Sequence, residues 1–378
     1  MHYTNEDEGL MPRIHEASTT TATKVEFVAS VPLDLLNAMY FTSLAKDHEG
    51  VEDWPAQVRR EMRPELRDEL DFLFNYPSHA GVMGAVNDSL FFHREAWADV
   101  GALLRYVREL PAGVGELPHR PGIQGLALYT LRWFGGKHEL RFELGAEPRE
   151  TLAKAAASAD LNVDKVLAEY DRPEDLRQRI LDLIQRFFDE HYRPDLPRRL
   201  PCLERSVAAH RDQPVGDVNE LLQSLARRPI SCLIDNPGAF THHVFAPSLD
   251  MGPWMSCADT PPLHGVYYPC EARFIGGGTE ESEEMRQLAR IHKALSDEQR
   301  LRILHLLGDG ELYAQQIVER TGLHQSVVSR HLEFMRVVGL LISRRQGNMK
   351  FYSLNPAMGD ELGKTLELFR TPARSRGQ

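Results

Sequence analysis

Residues 296–354 constrain this chain more tightly than any other stretch of it. In residues 324–341 (HQSVVSRHLEFMRVVGLL), Val328, Leu332 and Met335 recur at helical spacing and, at about 100° per residue, fall within roughly 60° of arc. Ser326, Arg330 and Glu333 fall on the opposite face, with Ser329 at its flank. Ahead of this helix, residues 311–323 (ELYAQQIVERTGL) predict another, with Ile317 and Val318 inward. Gly322 sits where a tight turn between helices needs freedom from Cβ strain. Behind it, residues 340–343 and 350–354 read as two strands joined through a tip bearing Gly347 and Asn348. Upstream, residues 280–295 predict a helix with Leu288, Ile291 and Leu295 on one stripe. Ser296 to Gln299 then match a capping box, and a helix follows with Leu301, Leu304 and Leu307 on its core face, stopped at Gly308–Gly310. Helices, turn, helix and hairpin in this order predict a winged helix-turn-helix.

The charge of the chain divides accordingly. The formal net charge is −11, yet residues 281–378 hold 15 Lys/Arg against 12 Asp/Glu. Residues 320–354 hold 6 basic residues and only Glu333 as an acid. A basic module on an acidic body points to a polyanionic partner for the module alone. The outer face of the second helix fits a major groove, since serines permit close approach and Arg330 can bond bidentately to guanine. The plain alternative is a solvated helix face. Arg344, Arg345 and Lys350 flank the hairpin tip and can hold backbone phosphates, the alternative being a merely basic hairpin. His331 lies between the faces, suited equally to packing or to a phosphate.

Three segments carry a family resemblance: ALSDEQRLRILHLL, ELYAQQIVERTGLHQSVVSRHLEFMRVVGLL and RRQGNMKFYSL. Residues 294–354 resemble the ArsR-type (arsenic-repressor) family of bacterial regulators. The resemblance implies a DNA-binding repressor and a homodimer built from the helices flanking the module, here residues 283–295 and 358–369. It places His324, Gln325, Ser326, Ser329, Arg330 and His331 on or at the recognition helix, with Arg344, Arg345, Asn348 and Lys350 in the wing. The DNA expected is an imperfect palindrome, read in successive major grooves. His324 stands where the family often has a Ser N-cap. Residues 312–317 lack the Cys pair of many metal-sensing members, and residues 358–369 lack the His of others, so metal sensing does not carry over. The first 275 residues loosely resemble the large N-terminal domain, of unassigned function, in one class of these regulators.

At 378 residues, two or three domains are expected. Residues 1–24 read as a disordered tail, 25–275 as a sensor or assembly domain, 276–280 as a linker around Gly276–Gly278, 281–370 as the DNA-binding and dimerisation domain, and 371–378 as a tail. The fold class expected is mostly α with small β: the C-terminal winged helix-turn-helix and a larger, mainly helical N-terminal domain with a small sheet. Residues 24–31 predict a strand ended by Pro32. Residues 64–74, 88–110 and 173–191 predict amphipathic helices, and residues 111–121 and 193–201 proline-rich connections. Residues 230–234, 241–245 and 265–268 predict short strands.

The remaining candidates are weaker patterns. Cys257, His264 and Cys270 are near in sequence and could bind zinc or sense redox state, though their spacing fits no short metal motif and isolated cysteines are commonly buried hydrophobes. Trp97, Trp133, Trp254 and Tyr267 could line an effector pocket, the plain reading being core. GxSxG, GxGxxG, P-loop and HExxH patterns are all missing, so no enzyme and no cofactor are expected. No apolar run is long enough for a membrane span and no signal peptide is evident, so a cytoplasmic protein without a membrane partner is expected.

Overall fold

The computed structural model describes residues 24–45, 53–77, 81–117, 119–130, 147–158, 161–211, 217–226, 237–271, 274, 280–346 and 349–370. The tails, apart from Lys24, the strand expected over 230–234, Gly276–Gly278, Trp133 and Asn348 lie outside them, as does the side chain of Arg345.

The N-terminal part begins with β1 (Lys24–Phe27) and continues through α1 (Val31–Leu44), α2 (Asp53–Glu61), α3 (Pro64–Leu73), α4 (Gly81–Leu90) and α5 (Val100–Glu109). A short hairpin, β2 (Gly115–Glu116) and β3 (Arg120–Pro121), leads to α6 (Ile123–Tyr129). Then come α7 (Pro148–Ser158), α8 (Val163–Tyr170), α9 (Pro173–Phe187), α10 (Leu196–His210) and α11 (Val218–Ala226). The part closes with β4 (His242–Ser248), β5 (Ser256–Thr260) and β6 (Leu263–Pro269). The sheet order is β1-β4-β6-β5, parallel except for β5, which runs antiparallel to β6.

Alternation along the strands sends each side chain to one of two cores. Val244, Ala246, Ala258 and Tyr267 join the large core containing α1 residues Leu33, Leu36 and Met39. Phe245, Val266 and Tyr268 join a second cluster with Val218, Leu221, Leu222 and Leu225 of α11. Gly265 is required by close approach, because a Cβ there would lie 2.5 Å from the Phe91 ring.

Several expected elements differ. The strand expected over 24–31 stops at Phe27, because Ser30 already caps α1 by accepting from the Leu33 N–H at 3.3 Å. The single helix expected over 88–110 is interrupted by a 3-10 turn at Arg94–Trp97. Trp97 Nε1 donates to the Leu90 carbonyl at 2.7 Å, and Asp99 accepts from the Ala102 N–H at 2.8 Å, so side chains take backbone groups a continuous helix would use. Residues 193–201 are helical, not a connection. A π-helical turn (Phe188–Tyr192) and a 3-10 turn (Arg193–Asp195) join α9 to α10, with Pro201 inside the latter. These changes of hydrogen-bond register surround prolines that lack an N–H. Buried Arg199 anchors the segment, its guanidinium 3.9 Å from the Trp54 ring centroid and paired with Asp34 at 2.9 Å and Asp250 at 2.7 Å. The strand β5 was not anticipated.

The C-terminal part comprises α12 (Glu280–Leu295), α13 (Glu298–Leu307), β7 (Leu312–Tyr313), α14 (Ala314–Thr321), α15 (Gln325–Val337), β8 (Leu341–Gln346), β9 (Met349–Leu354) and α16 (Met358–Arg370). Its three-stranded sheet has the order β7-β9-β8. Its hydrophobic cluster runs from Ile291 through Ile317, Val328 and Met335 to Tyr352 and shares no residue with the N-terminal clusters.

Candidate nucleic-acid interface

The outer face of α15 depends on what its inner face buries. Val328, Leu332 and Met335 are buried at 1%, 0% and 0% exposure, fixing the helix roll. Gly322 lies between α14 and α15 at φ +70°, the left-handed conformation that turn requires. His324 caps α15: its Nδ1 accepts from the Ser326 N–H at 3.3 Å and lies 2.8 Å from Ser326 Oγ. The cap is thus made by an imidazole in place of a hydroxyl.

With that roll, Gln325, Ser326, Ser329 and Arg330 are exposed. Among the described residues, no hydrogen bond or ion pair engages the Arg330 guanidinium. His331 is half-buried, its Nε2 3.1 Å from Gln299 Oε1 on α13. Glu333, expected on the outer face, is half-buried and ion-paired with Arg336, and its carboxylate lies 3.9 Å from Lys350 Nζ on β9. That contact ties the wing to α15.

The wing arginines lie within β8, not in a tip loop, and Arg345 pairs in register with Lys350. Arg344 is held by a bidentate pair with Glu311 and sits 4.8 Å from the Phe351 ring centroid. The hydrogen bond and charge of Arg344 lower the Glu311 carboxyl below its usual range. Lys350 Nζ lies 5.3 Å from the Tyr352 ring centroid. Sequence reasoning missed all three tethers, Gln299–His331, Glu311–Arg344 and Lys350–Glu333, because each joins residues distant along the chain.

Three further sequence readings need correction. The helix expected over 311–323 starts only at Ala314, since Leu312 and Tyr313 pair with β9. Asp297, not Ser296, caps α13 by accepting from the Arg300 N–H at 2.9 Å, while Ser296 Oγ donates to the Lys293 carbonyl. Leu301 is 47% exposed, its expected core place taken by Ile303.

Among the described residues, Cys257, His264 and Cys270 make separate contacts. Cys257 on β5 lies opposite Val266, His264 Nδ1 is 2.9 Å from His243 Nδ1, and Cys270 Sγ contacts the Cys202 carbonyl at 3.6 Å. Among the described residues, no group of three or more His, Cys, Asp or Glu side chains could hold a metal. Burial lowers His264 to a pKa of about 3, with His243 adding to the effect. Trp97 and Tyr267 are buried in the core, and Trp254 packs half-buried against it. Among the described residues, no helix is long and apolar enough to cross a membrane.

Comparison with known proteins bears on the same module. Residues 297–343 match the family model "Bacterial regulatory protein, arsR family". The arsenical resistance operon repressor of Staphylococcus aureus is 36% identical over 86 residues, which cover 83% of that protein and 23% of this chain. The chain belongs to the ArsR family. This regulator is also 42% identical over 73 residues to the HTH-type transcriptional regulator CmtR of Mycobacterium tuberculosis, covering 62% of CmtR and 19% of the chain. The transcriptional activator HlyU of Vibrio cholerae is 40% identical over 63 residues, covering 58% of HlyU and 17% of the chain. Among solved structures, a homodimeric winged helix-turn-helix DNA-binding domain from Mycobacterium bovis aligns with 27% of the chain and 95% of its own length, at 26% identity and TM-score 0.22. The family model and the curated relatives make this chain a transcriptional regulator, its own α14, α15 and β8–β9 hairpin give the module the winged helix-turn-helix arrangement, and these relatives correspond to a minor part of its length.

Proposed function

We propose that this regulator binds double-stranded DNA as a homodimer, placing α15 of each protomer in successive major grooves of an imperfect palindrome. The observation that carries the reading is the exposed row Gln325, Ser326, Ser329 and Arg330 on a helix whose roll is set by a buried stripe, with Arg330 unengaged among the described residues. Arg345, Asn348 and Lys350 supply phosphate contacts that fix register, as does Arg344 when it leaves Glu311. His324 and His331 sit at the edges of the contact surface.

The dimer surface is built from α12 and α16. These flanking helices pack side by side, with His292 Nε2 2.8 Å from Thr365 Oγ1. Met285 on α12 is 41% exposed, an apolar side chain suited to burial against a second copy. The N-terminal part, residues 25–275, binds a small-molecule effector or sets dimer geometry, and its two states differ in how they space the two recognition helices. Repression released by the effector is the output proposed, in keeping with the names of the arsenical resistance repressors.

The test is Arg330→Ala. It is expected to cost about 1–3 kcal/mol on the cognate operator and to relax base preference at one position of each half-site. Unchanged affinity and unchanged preference would remove α15 from the groove.

A further inference from the structure

A cleft of about 400 Å³ opens in the N-terminal part between the end of α5 and the β2–β3 hairpin. We propose that it binds a small organic carboxylate with a flat apolar body. This deepens the effector reading above and rests on it for the ligand's purpose, though binding itself can be tested on the protein alone. The volume lies within the range of small-molecule sites, and half of the lining residues are acidic or basic: His93, Glu95, Arg105, Glu109 and Arg120. His93 and Tyr106 form an aromatic wall, with ring centroids 4.5 Å apart, and Leu110 and Pro121 continue it. Tyr106 Oη is 2.8 Å from Ser89 Oγ and His93 Nε2 donates to the His119 carbonyl at 2.8 Å, so both rings are held in place.

Two arginines from different elements line this wall, Arg105 on α5 and Arg120 on β3. Both are exposed, and among the described residues neither guanidinium has a hydrogen bond or an ion pair. That sets them apart from several other arginines of the N-terminal part, but not from Arg108, which is also exposed and unpaired among the described residues and does not line the cleft. Arg94 is paired with Glu26, Arg177 with Glu174 and Arg179 with Glu69. The carboxylates of the cleft do not occupy the arginines either. Glu95 lies 3.5 Å from His93 Nδ1, and Glu109, one turn beyond Arg105, makes no ion pair with it among the described residues. Two free guanidiniums beside an aromatic face suit an anion that is planar and partly apolar.

The negative end of a helix would ordinarily repel such a ligand, and α5 ends at this cleft. Here Arg177 Nη1 donates to the carbonyls of Val107, Arg108 and Leu110, so those groups are already satisfied by a cation. The opposite wall is equally fixed. The Gly122 N–H donates to the Val114 carbonyl at 2.7 Å, and a Cβ on Gly125 would lie 1.9 Å from that same oxygen. The hairpin is therefore seated against α6 with no room for a side chain, and Arg120 is presented from a rigid support. Preorganised walls lower the cost of binding.

The experiment is calorimetric titration of the full-length protein with benzoate and, separately, with inorganic phosphate. Benzoate is expected to saturate one site per chain. Arg105→Gln and Arg120→Gln are each expected to weaken it about tenfold or more, from loss of one charge-assisted contact. Neither arginine supports the fold, so both variants should keep the parental melting temperature; Arg149→Gln, away from the cleft, should bind like the parent. Absence of saturable benzoate binding, or binding indifferent to both substitutions, overturns the site. Phosphate binding as tightly as benzoate, with the same dependence on the arginines, overturns the assignment to organic carboxylates. Arginine-dependent benzoate binding without any change in operator affinity would leave the cleft standing and sink the effector reading.

Discussion

Replacing Arg199 with Met should destabilise the N-terminal part by about 3 kcal/mol, at the lower end of the cost of breaking a buried ion pair. The guanidinium has 0% exposure and pairs with Asp34 at 2.9 Å, Asp195 at 3.0 Å and Asp250 at 2.7 Å. Methionine keeps much of the packing between Trp54 and Tyr192 but strands the carboxylates. Asp34 retains donors from Tyr192 Oη at 2.7 Å, Ser248 Oγ at 2.8 Å and the Leu249 N–H at 3.2 Å, so its loss is partial. Asp250 has less to fall back on and escapes by taking up a proton. Both circumstances favour the lower end. The assay is urea unfolding followed by tryptophan fluorescence. All four tryptophans (Trp54, Trp97, Trp133 and Trp254) precede α12, so the signal reports the N-terminal part without the DNA-binding module. Adding Asp250→Asn to Arg199→Met should recover part of the loss by sparing the cost of protonating Asp250 once its cation is gone. A midpoint shift worth less than about 1 kcal/mol at constant slope, or a second substitution that recovers nothing, would refute the reasoning.

The remaining expectations concern pH, the wing and the module core. Burial raises Asp250 to a pKa of about 7 against the attraction of Arg199, from an ordinary value of 3.8. The folded state therefore holds this proton more tightly than the unfolded chain, and the associated stability is complete below pH 3.8 and lost as pH rises through about 7. Asp250→Asn should flatten that decline in a pH series of unfolding curves, and an unaltered decline would assign it to other groups. Glu311→Gln should release Arg344, tighten operator binding at low salt and steepen the salt dependence by about one unit of slope. An unchanged slope would place Arg344 away from phosphate. Leu332→Ala should cost about 2–5 kcal/mol in the module by opening a cavity under α15. Hydrogen exchange of α14 and α15 would report it, and protection equal to the parent would contradict the burial of Leu332.

The module was legible because its signals are local. The stripe of Val328, Leu332 and Met335 repeats within one helix, and Gly322 marks its turn within a few residues. What escaped was set at a distance. Asp34 and Arg199 are buried charges that pair with each other, and their separation in sequence hides the pairing. Arg344 read as a free phosphate ligand because its partner Glu311 lies before α14. The strand β5, Ser256–Thr260, has little apolar pattern and exists because β6 offers it an edge. In residues 193–201, proline content suggested a connection, whereas tertiary ion pairs made a helix. Leu301 looked like core by spacing, and α13 buries Arg300 and Ile303 while leaving it exposed.

The parallel pairing of β1 with β4 sets an order of events during synthesis. Lys24 finds its neighbour only in His242, and β4 in turn needs β6 on its other side. The first strand thus leaves the ribosome with its hydrogen-bonding edge open and keeps it open while α1 to α11 are translated. The DNA-binding module follows, and its partners, such as His292 and Thr365, lie closer along the chain than Lys24 and His242 do. A nascent chain halted before β4 would expose Val25 and Phe27 on an unpaired edge, the kind of surface that chaperones hold and other copies join.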